Sequence, residues 1–208
     1  MSDHIRRYDY NKGTLKRSDL DDDPFVVLNQ WLEQAVDAEV IEPTAMVLST
    51  VAASGAPSSR VVLLRSVSGE GLVFFTNYLS RKGSELGDNP HACVNFWWGA
   101  LERQIRVEGT VRKVSKDVSD AYFASRPITS QAASAASPQS RPIENSDILR
   151  NTMRDLLAEG SIERPEHWGG YLLEPNYFEF WQGGAARLHD RFAYSLAGDS
   201  WSIQQLAP

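Results

Sequence analysis

Three runs of β-branched, aliphatic and aromatic residues, at 45–51, 60–65 and 72–76, are separated by only eight and six residues, which carry the turns Ser54-Gly55-Ala56-Pro57 and Ser68-Gly69-Glu70-Gly71. A parallel crossover needs about a dozen residues or more, so gaps this short point to antiparallel pairing. An aromatic-rich run at 92–98 and an alternating polar–apolar run at 103–111 extend the series. Four more strands are expected at 171–173, 177–181, 191–194 and 201–206, with Ala197-Gly198-Asp199 turning the last hairpin.

Helical patterning is confined to shorter stretches. Asp23-Pro24 makes a helix start, and Phe25, Leu28, Leu32 and Ala35 then recur at helical spacing to about Ala38. Ser80 and Ser115 cap two more helices, the second running to about Ser125 before Pro127. Leu149, Met153 and Leu156 share one face of a further helix at 148–158. Dominant strands with short helices around them imply a mainly β (α+β) chain, a β-barrel with helical additions. The 208 residues suit a single domain at 24–208. Residues 1–23 are polar and charged and read as a flexible arm that buries too little apolar surface to order itself. The small-residue stretch at 130–137 is the nearest approach to low complexity.

A net charge of −6 argues against a nucleic-acid partner that needs a broad basic surface. No apolar run approaches the roughly 18 residues that span a bilayer, and Arg6-Arg7 precede no apolar signal segment, so the chain reads as cytoplasmic. The single cysteine, Cys93, excludes an intramolecular disulfide and sits in an apolar run as a buried structural thiol would. No Cys/His cluster has metal-ligand spacing, and no metal is expected.

Within this acidic chain, Arg60, Arg65, Arg81, Lys82, Arg126, Arg187 and Arg191 are placed where an anion could be held. Arg81 and Lys82 open a helix, the wrong sign for its macrodipole unless the site binds an anion such as phosphate. A solvent-facing basic turn is the plain alternative. Two separate clusters could serve two phosphates, one on a cofactor and one on a substrate. Trp181 and Phe75 offer apolar surface for a flat ring, though core burial accounts for them as well.

The densest chemistry lies at 179–191, where Glu179-Phe180-Trp181-Gln182-Gly183-Gly184 leads to Arg187-Leu188-His189-Asp190-Arg191. If Arg187 opens an extended segment, Arg187, His189 and Arg191 share one face, because strand side chains alternate. Such a face either meets an anionic or electron-rich partner or guards a solvated sheet edge. Local pattern leaves both open.

Ordered motifs carry a resemblance over nearly the whole chain: Arg60-Val-Val-Leu-Leu-Arg65, Phe74-Phe-Thr-Asn77, Ser80-Arg-Lys82, Leu101-Glu-Arg-Gln104, Ser125-Arg-Pro127, Gln139-Ser-Arg141 and Phe180-Trp-Gln-Gly-Gly184 with Arg187–Arg191. In these the chain resembles the pyridoxamine 5′-phosphate oxidase family of FMN-binding split barrels. The resemblance implies a split β-barrel forming a homodimer, with FMN at the subunit interface. It implies oxidation of pyridoxine or pyridoxamine 5′-phosphate to pyridoxal 5′-phosphate, by hydride transfer to flavin and reoxidation by O₂ to H₂O₂.

By position, the FMN phosphate would meet Arg60, Arg81 and Lys82, with Ser140 nearby. The rest of the flavin would meet Val61, Val62, Leu63, Leu64, Arg65, Phe75, Thr76, Gln104, Gln139, Trp181 and Arg191. Substrate phosphate would be held by Arg65, Tyr122, Arg126 and Ser130. Arg187, Leu188 and His189 would lie over the substrate ring, with Arg187 and His189 as the catalytic pair, and Arg7, Tyr8, Asp9 and Tyr10 would close above it. Three positions depart from the family pattern: Arg65 stands for a usual lysine, Phe75 for a usual tyrosine, and 132–136 is all alanine and serine where glycine, alanine and tryptophan are usual. The competing readings are a related split-barrel oxidase acting on another reduced aromatic, such as a phenazine precursor, and a flavin- or pyridoxal-phosphate-binding protein without turnover.

Overall fold

The structure, a computed structural model, describes residues 9–208. In chain order the elements are α1 (Pro24–Asp37), β1 (Ala45–Val51), β2 (Pro57–Leu63), β3 (Ser66–Ser68), β4 (Gly71–Asn77), α2 (Arg81–Asp88), β5 (His91–Trp98), β6 (Arg103–Lys113), α3 (Lys116–Ser125), α4 (Ile128–Ala136), α5 (Ser146–Ala158), β7 (Trp168–Gln182), β8 (Asp190–Ala197) and β9 (Ser200–Leu206). All nine strands join one sheet, with neighbours in the order β2-β1-β5-β6-β7-β4-β3 and the β8–β9 hairpin branching from β7. Every pairing is antiparallel, as the short turns require. β2, at one end of the order, touches β4 near the other, so the sheet curls toward closure.

β7 organises this sheet. Along one edge it pairs with β6 from Tyr171 to Gln182, while its other edge is divided, β4 taking Trp168 to Leu173 and β8 taking Tyr177 to Gln182. The sequence suggests two strands here, at 171–173 and 177–181; they are one fifteen-residue strand. Pro175, which cannot donate to a ladder, is accommodated where the register shifts between Glu108 and Gly109, leaving Asn176 opposite no β6 residue.

The core lies inside the curl. α1 closes it with Val27, Leu28 and Ala35 fully buried, and its Phe25 and Trp31 meet Phe178 and Phe180 edge-on at 5.2 and 5.3 Å between centroids. Each such large apolar side chain contributes roughly 1.5–3 kcal/mol through burial. Asp23 caps α1 by accepting from the Phe25 N–H, as the Asp-Pro start predicts.

Two expectations from sequence change. α4 forms from the small-residue stretch, where alanine's helix preference outweighs the lack of an apolar face. The arm is not loose over its described part: Leu15 and Leu20 are buried, and Tyr194 donates its hydroxyl to the Asp21 carbonyl at 2.7 Å. Two leucines at the right spacing suffice to dock a polar segment. Among the described residues no helix is long and apolar enough to cross a membrane.

Candidate functional site

β2, β4, the first turn of α2, helices α3 and α4, and the segment at 137–140 enclose a cavity of about 690 Å³. One wall is cationic. Arg60 projects from β2, and Arg81 and Lys82 enter from α2, whose N-cap Ser80 accepts from the Gly83 N–H. Lys82 is 7% exposed, and its ammonium donates to Thr76 Oγ1, Ser80 Oγ and Gln139 Oε1 at 3.1, 3.2 and 2.8 Å. Burial first, and then the nearby Arg60 charge, push Lys82 down to about 8.

Behind this wall sits Glu85, 5% exposed. Its Oε1 accepts from Arg81 Nε at 2.8 Å, and its Oε2 accepts from Arg60 Nη2 at 3.3 Å and from the hydroxyls of Ser58 and Thr50. Burial alone would raise its pKa, but the hydrogen bonds from Ser58, Thr50, Arg81 and Arg60 outweigh it and hold the carboxyl at about 2. Three cations therefore face one carboxylate, and positive charge is in excess.

Across the cavity the wall is aromatic. Phe75 stacks on Tyr122 at 3.9 Å and on Trp168 at 5.5 Å. Gly170, paired with Phe75, permits this, since a Cβ there would lie 2.9 Å from the Phe75 ring. Arg126 lies 4.8 Å over the Trp168 ring and donates to Ser134 Oγ at 2.9 Å, while Arg65 reaches to 5.9 Å from the Tyr122 ring. Burial chiefly, with Arg65 adding to it, lowers the Arg126 pKa. Among the described residues neither Arg65 nor Arg126 pairs with an acid, so this wall too is short of negative charge.

The remaining candidates gather elsewhere. Gln104 and Trp181 face each other across β6 and β7, and Trp97 lies 5.9 Å from Trp181. The His189 ring is 4.7 Å from Trp181, and Tyr10 stands edge-on to both at 5.6 Å. His189 Nδ1 accepts from the Gly184 N–H at 3.1 Å, so the neutral imidazole carries its proton on Nε2. Arg191 is held by the buried Glu179 through Nε at 3.0 Å and Nη2 at 2.9 Å, and Glu179 also binds Arg106 at 2.7 Å. Trp168, on the cavity, and Trp181 are separated by 13 residues of β7, about 40 Å along an extended strand.

The candidates thus fall into two groups on one chain. Arg60, Val61, Val62, Leu63, Arg65, Phe75, Thr76, Arg81, Lys82, Tyr122, Arg126, Gln139 and Ser140 line the cavity. Leu64 points into the core, and Ser130 lies off the cavity on the first turn of α4, where Ser134 and Ser137 take the lining positions. Gln104, Trp181, Arg187, Leu188, His189 and Arg191 are absent from the lining. Asp9 is exposed beside Tyr10, whereas Arg7 and Tyr8 lie outside the described residues.

The one-face strand expected for Arg187, His189 and Arg191 does not form. Ala185–Arg187 is a tight 3₁₀ turn, Ala186 and Arg187 have φ of 53° and 64°, and β8 begins only at Asp190. Two consecutive left-handed residues prevent strand alternation before that point. Sequence reasoning missed Glu85, Trp168, Ser134 and Glu179. Glu85 had a signal, being four residues after Arg81 on a helix; the others become visible only through tertiary contact.

The sequence matches the family described as "Pyridoxamine 5'-phosphate oxidase" over residues 32–158, and "Pyridoxine 5'-phosphate oxidase C-terminal dimerisation region" over 168–208. It is 49% identical to a protein of Paraburkholderia phymatum named pyridoxine/pyridoxamine 5′-phosphate oxidase, covering 97% of each chain. It is 48% identical to the Actinobacillus succinogenes protein of the same name, covering 100% of each. Among solved structures, PhzG from Burkholderia lata, in complex with tetrahydrophenazine-1-carboxylic acid, superposes with a TM-score of 0.90 at 34% identity, over 94% of this chain and 98% of that one. A pyridoxamine 5′-phosphate oxidase-related, FMN-binding protein from Nostoc punctiforme, 17% identical, shares the fold with a TM-score of 0.73 over 91% of this chain and all of that one.

Proposed function

The chain belongs to the pyridoxamine 5′-phosphate oxidase family, and from that premise we propose that it is a flavin-dependent oxidase converting pyridoxine or pyridoxamine 5′-phosphate to pyridoxal 5′-phosphate. The observation that carries this is the cavity's charge. Two groups of cations, each short of counter-charge, line one cavity, the second lying over the rings of its aromatic wall. That arrangement suits two phosphate esters and an intervening ring system.

The residues present fit FMN. Arg60, Arg81 and Lys82 exceed Glu85 in charge by about two, which matches a phosphate dianion, and a flavin without phosphate would leave that excess unmet. Lys82, tied to Gln139 and Thr76, links the anion site to the surface expected to meet the flavin. Bound flavin supplies the two-electron chemistry, taking up a hydride equivalent and being reoxidised by O₂ to give H₂O₂.

The chain's own groups bind and orient. Arg65, Arg126 and Tyr122 hold the substrate phosphate, with Ser134 fixing the Arg126 fork. His189, whose Nδ1 is already occupied by the Gly184 N–H, presents Nε2–H as a donor to the substrate ring, so it orients rather than abstracts a proton. Arg187 stands exposed beside it. Trp181, Gln104 and Arg191 complete the flavin's surroundings from a second copy of the chain. The separation of the two half-sites along β7 supports a homodimer with FMN between subunits.

Purified flavin-loaded protein given pyridoxine or pyridoxamine 5′-phosphate consumes O₂ and forms pyridoxal 5′-phosphate and H₂O₂ in equal amounts. Unphosphorylated pyridoxine is a poor substrate. A flavin-loaded protein that leaves both phosphate esters unchanged but oxidises a reduced phenazine carboxylate would replace this proposal with the chemistry suggested by the PhzG likeness.

A further inference from the structure

The described part of the arm contacts the Gln182–Gly183 turn through Tyr10 and Gly13. Glu102 is 7% exposed and sits at φ 54° in the turn before β6. Its Oε2 accepts from the backbone N–H groups of Asn11 and Lys12 at 2.8 and 2.9 Å. Its backbone carbonyl accepts from the Gly183 N–H at 2.8 Å and from Gln182 Nε2 at 3.2 Å. One residue therefore ties the arm to the end of β7. Lys12 adds a bond to the Ala100 carbonyl at 2.7 Å, and Asp190 accepts from the Leu15 N–H at 2.9 Å.

The consequence falls on Tyr10, one residue before the first of these bonds. A Cβ on Gly183 would lie 2.7 Å from Tyr10 Cγ and 3.1 Å from Glu102 Cβ, so bare backbone lets the ring and the acid close on the turn together. Tyr10 then stands against Trp181 and His189. We propose that Glu102 is a positioning residue, whose carboxylate clamps the arm so that Tyr10 is already seated on the His189–Trp181 surface before substrate arrives. A carboxylate accepting two main-chain N–H groups is a strong local anchor, and among the described residues ahead of Leu15 none is buried to hold the arm. The ordering of this segment is thereby met in folding rather than on binding. The effect on substrate rests on the proposed function; the clamp itself does not.

The test uses the full-length, flavin-loaded protein with Glu102→Ala, Glu102→Asn and Glu102→Gln. Asparagine tolerates the positive φ of the turn but is one methylene too short to reach the arm, so it separates loss of the clamp from loss of the turn. Glutamine keeps a carbonyl acceptor. In the alanine and asparagine variants, amide exchange at Asn11 and Lys12 accelerates about tenfold or more, KM for pyridoxine 5′-phosphate rises about tenfold, kcat stays within about twofold and FMN affinity is unchanged. The glutamine variant restores most of the protection and KM. Unchanged exchange at Asn11 and Lys12 overturns the clamp, and faster exchange with unchanged KM overturns its positioning role. Native protein inactive on both phosphate esters overturns the proposed function instead, while exchange still decides the clamp.

Discussion

Arg60 of β2 and Arg81 of α2 share a single counter-ion, with Glu85 Oε2 3.3 Å from Arg60 Nη2 and Oε1 2.8 Å from Arg81 Nε. A strand and a helix far apart in sequence are thus locked together at the cationic wall of the cavity. The arrangement fixes two guanidinium groups from behind; Arg60 also donates to the Leu48 carbonyl, Thr50 and Ser58, whereas Arg81 is held through Nε alone and keeps its two amino groups for a ligand.

Glu85 makes stability depend on pH in the acid range. Glu85 titrates at about 2 in the folded chain and near 4.3 when unfolded, a depressed pKa, so its contribution is complete above the unfolded value and is lost as pH falls toward 2. Glu85→Gln should cost up to about 3 kcal/mol at pH 6, and the gap from wild type should narrow between pH 5 and pH 2.5. Urea unfolding at several pH values measures it. A gap independent of pH across that window contradicts the ion-pair account.

Lys82 sets a limit at the other end of the scale. Its ammonium is charged below about 8 and neutral above, so FMN affinity should fall about tenfold between pH 7.5 and 9.5 as the site loses a cation. Lys82→Met should bind FMN weakly with a flatter profile over that range. Fluorescence titration of free flavin against apoprotein reads both, and an equally steep decline in the variant would assign the effect to another group.

Arg126 is proposed to hold the other phosphate, that of the substrate. Replacing it by alanine should raise KM for pyridoxine 5′-phosphate about 10- to 100-fold, the worth of a lost charged hydrogen-bonding fork, and leave FMN affinity within about twofold. Lysine should recover only part, because it lacks the planar fork that lies over Trp168 and reaches Ser134. Loss of flavin from Arg126→Ala would mean the two anion positions are exchanged.

The proposed division of the site between subunits can be tested by complementation. Arg60→Ala removes one half-site and Arg191→Ala the other. Each homodimer should be nearly inactive, yet co-expression should yield about a quarter of wild-type activity, since half the dimers are mixed and each has one intact site of two. Activity no greater than that of the separate variants would place both half-sites within one chain.

Most of the sheet was legible because β-branched and aromatic runs alternate with glycine and proline turns, and that local signal survives folding. β1, β5, β6 and the β8–β9 hairpin lie within a few residues of where the pattern puts them. The cationic half of the site was equally legible, since Arg81 and Lys82 in a helix's first turn are locally unfavourable and invite a ligand. Arg187 and His189 were misplaced for a physical reason: Ala186 and Arg187 adopt left-handed conformations that no residue type there advertises. Glu179 and Trp168 were invisible because their roles rest on partners brought close only by the completed sheet.

Asn176 gives the molecule a constraint of another kind. Before it the core-facing positions of β7 are odd-numbered, Tyr171 and Leu173; after it they are even-numbered, Phe178 and Phe180. This unpaired residue within the β6–β7 ladder thus resets the parity of the strand. Deleting it would bring Pro175 and Tyr177 into regular register with Gly109 and Glu108, so Leu173, Phe178 and Phe180 would still share one face and only the bulge would be lost. A residue inserted or deleted elsewhere in β7, with no bulge to absorb it, would turn one end of the strand inside out.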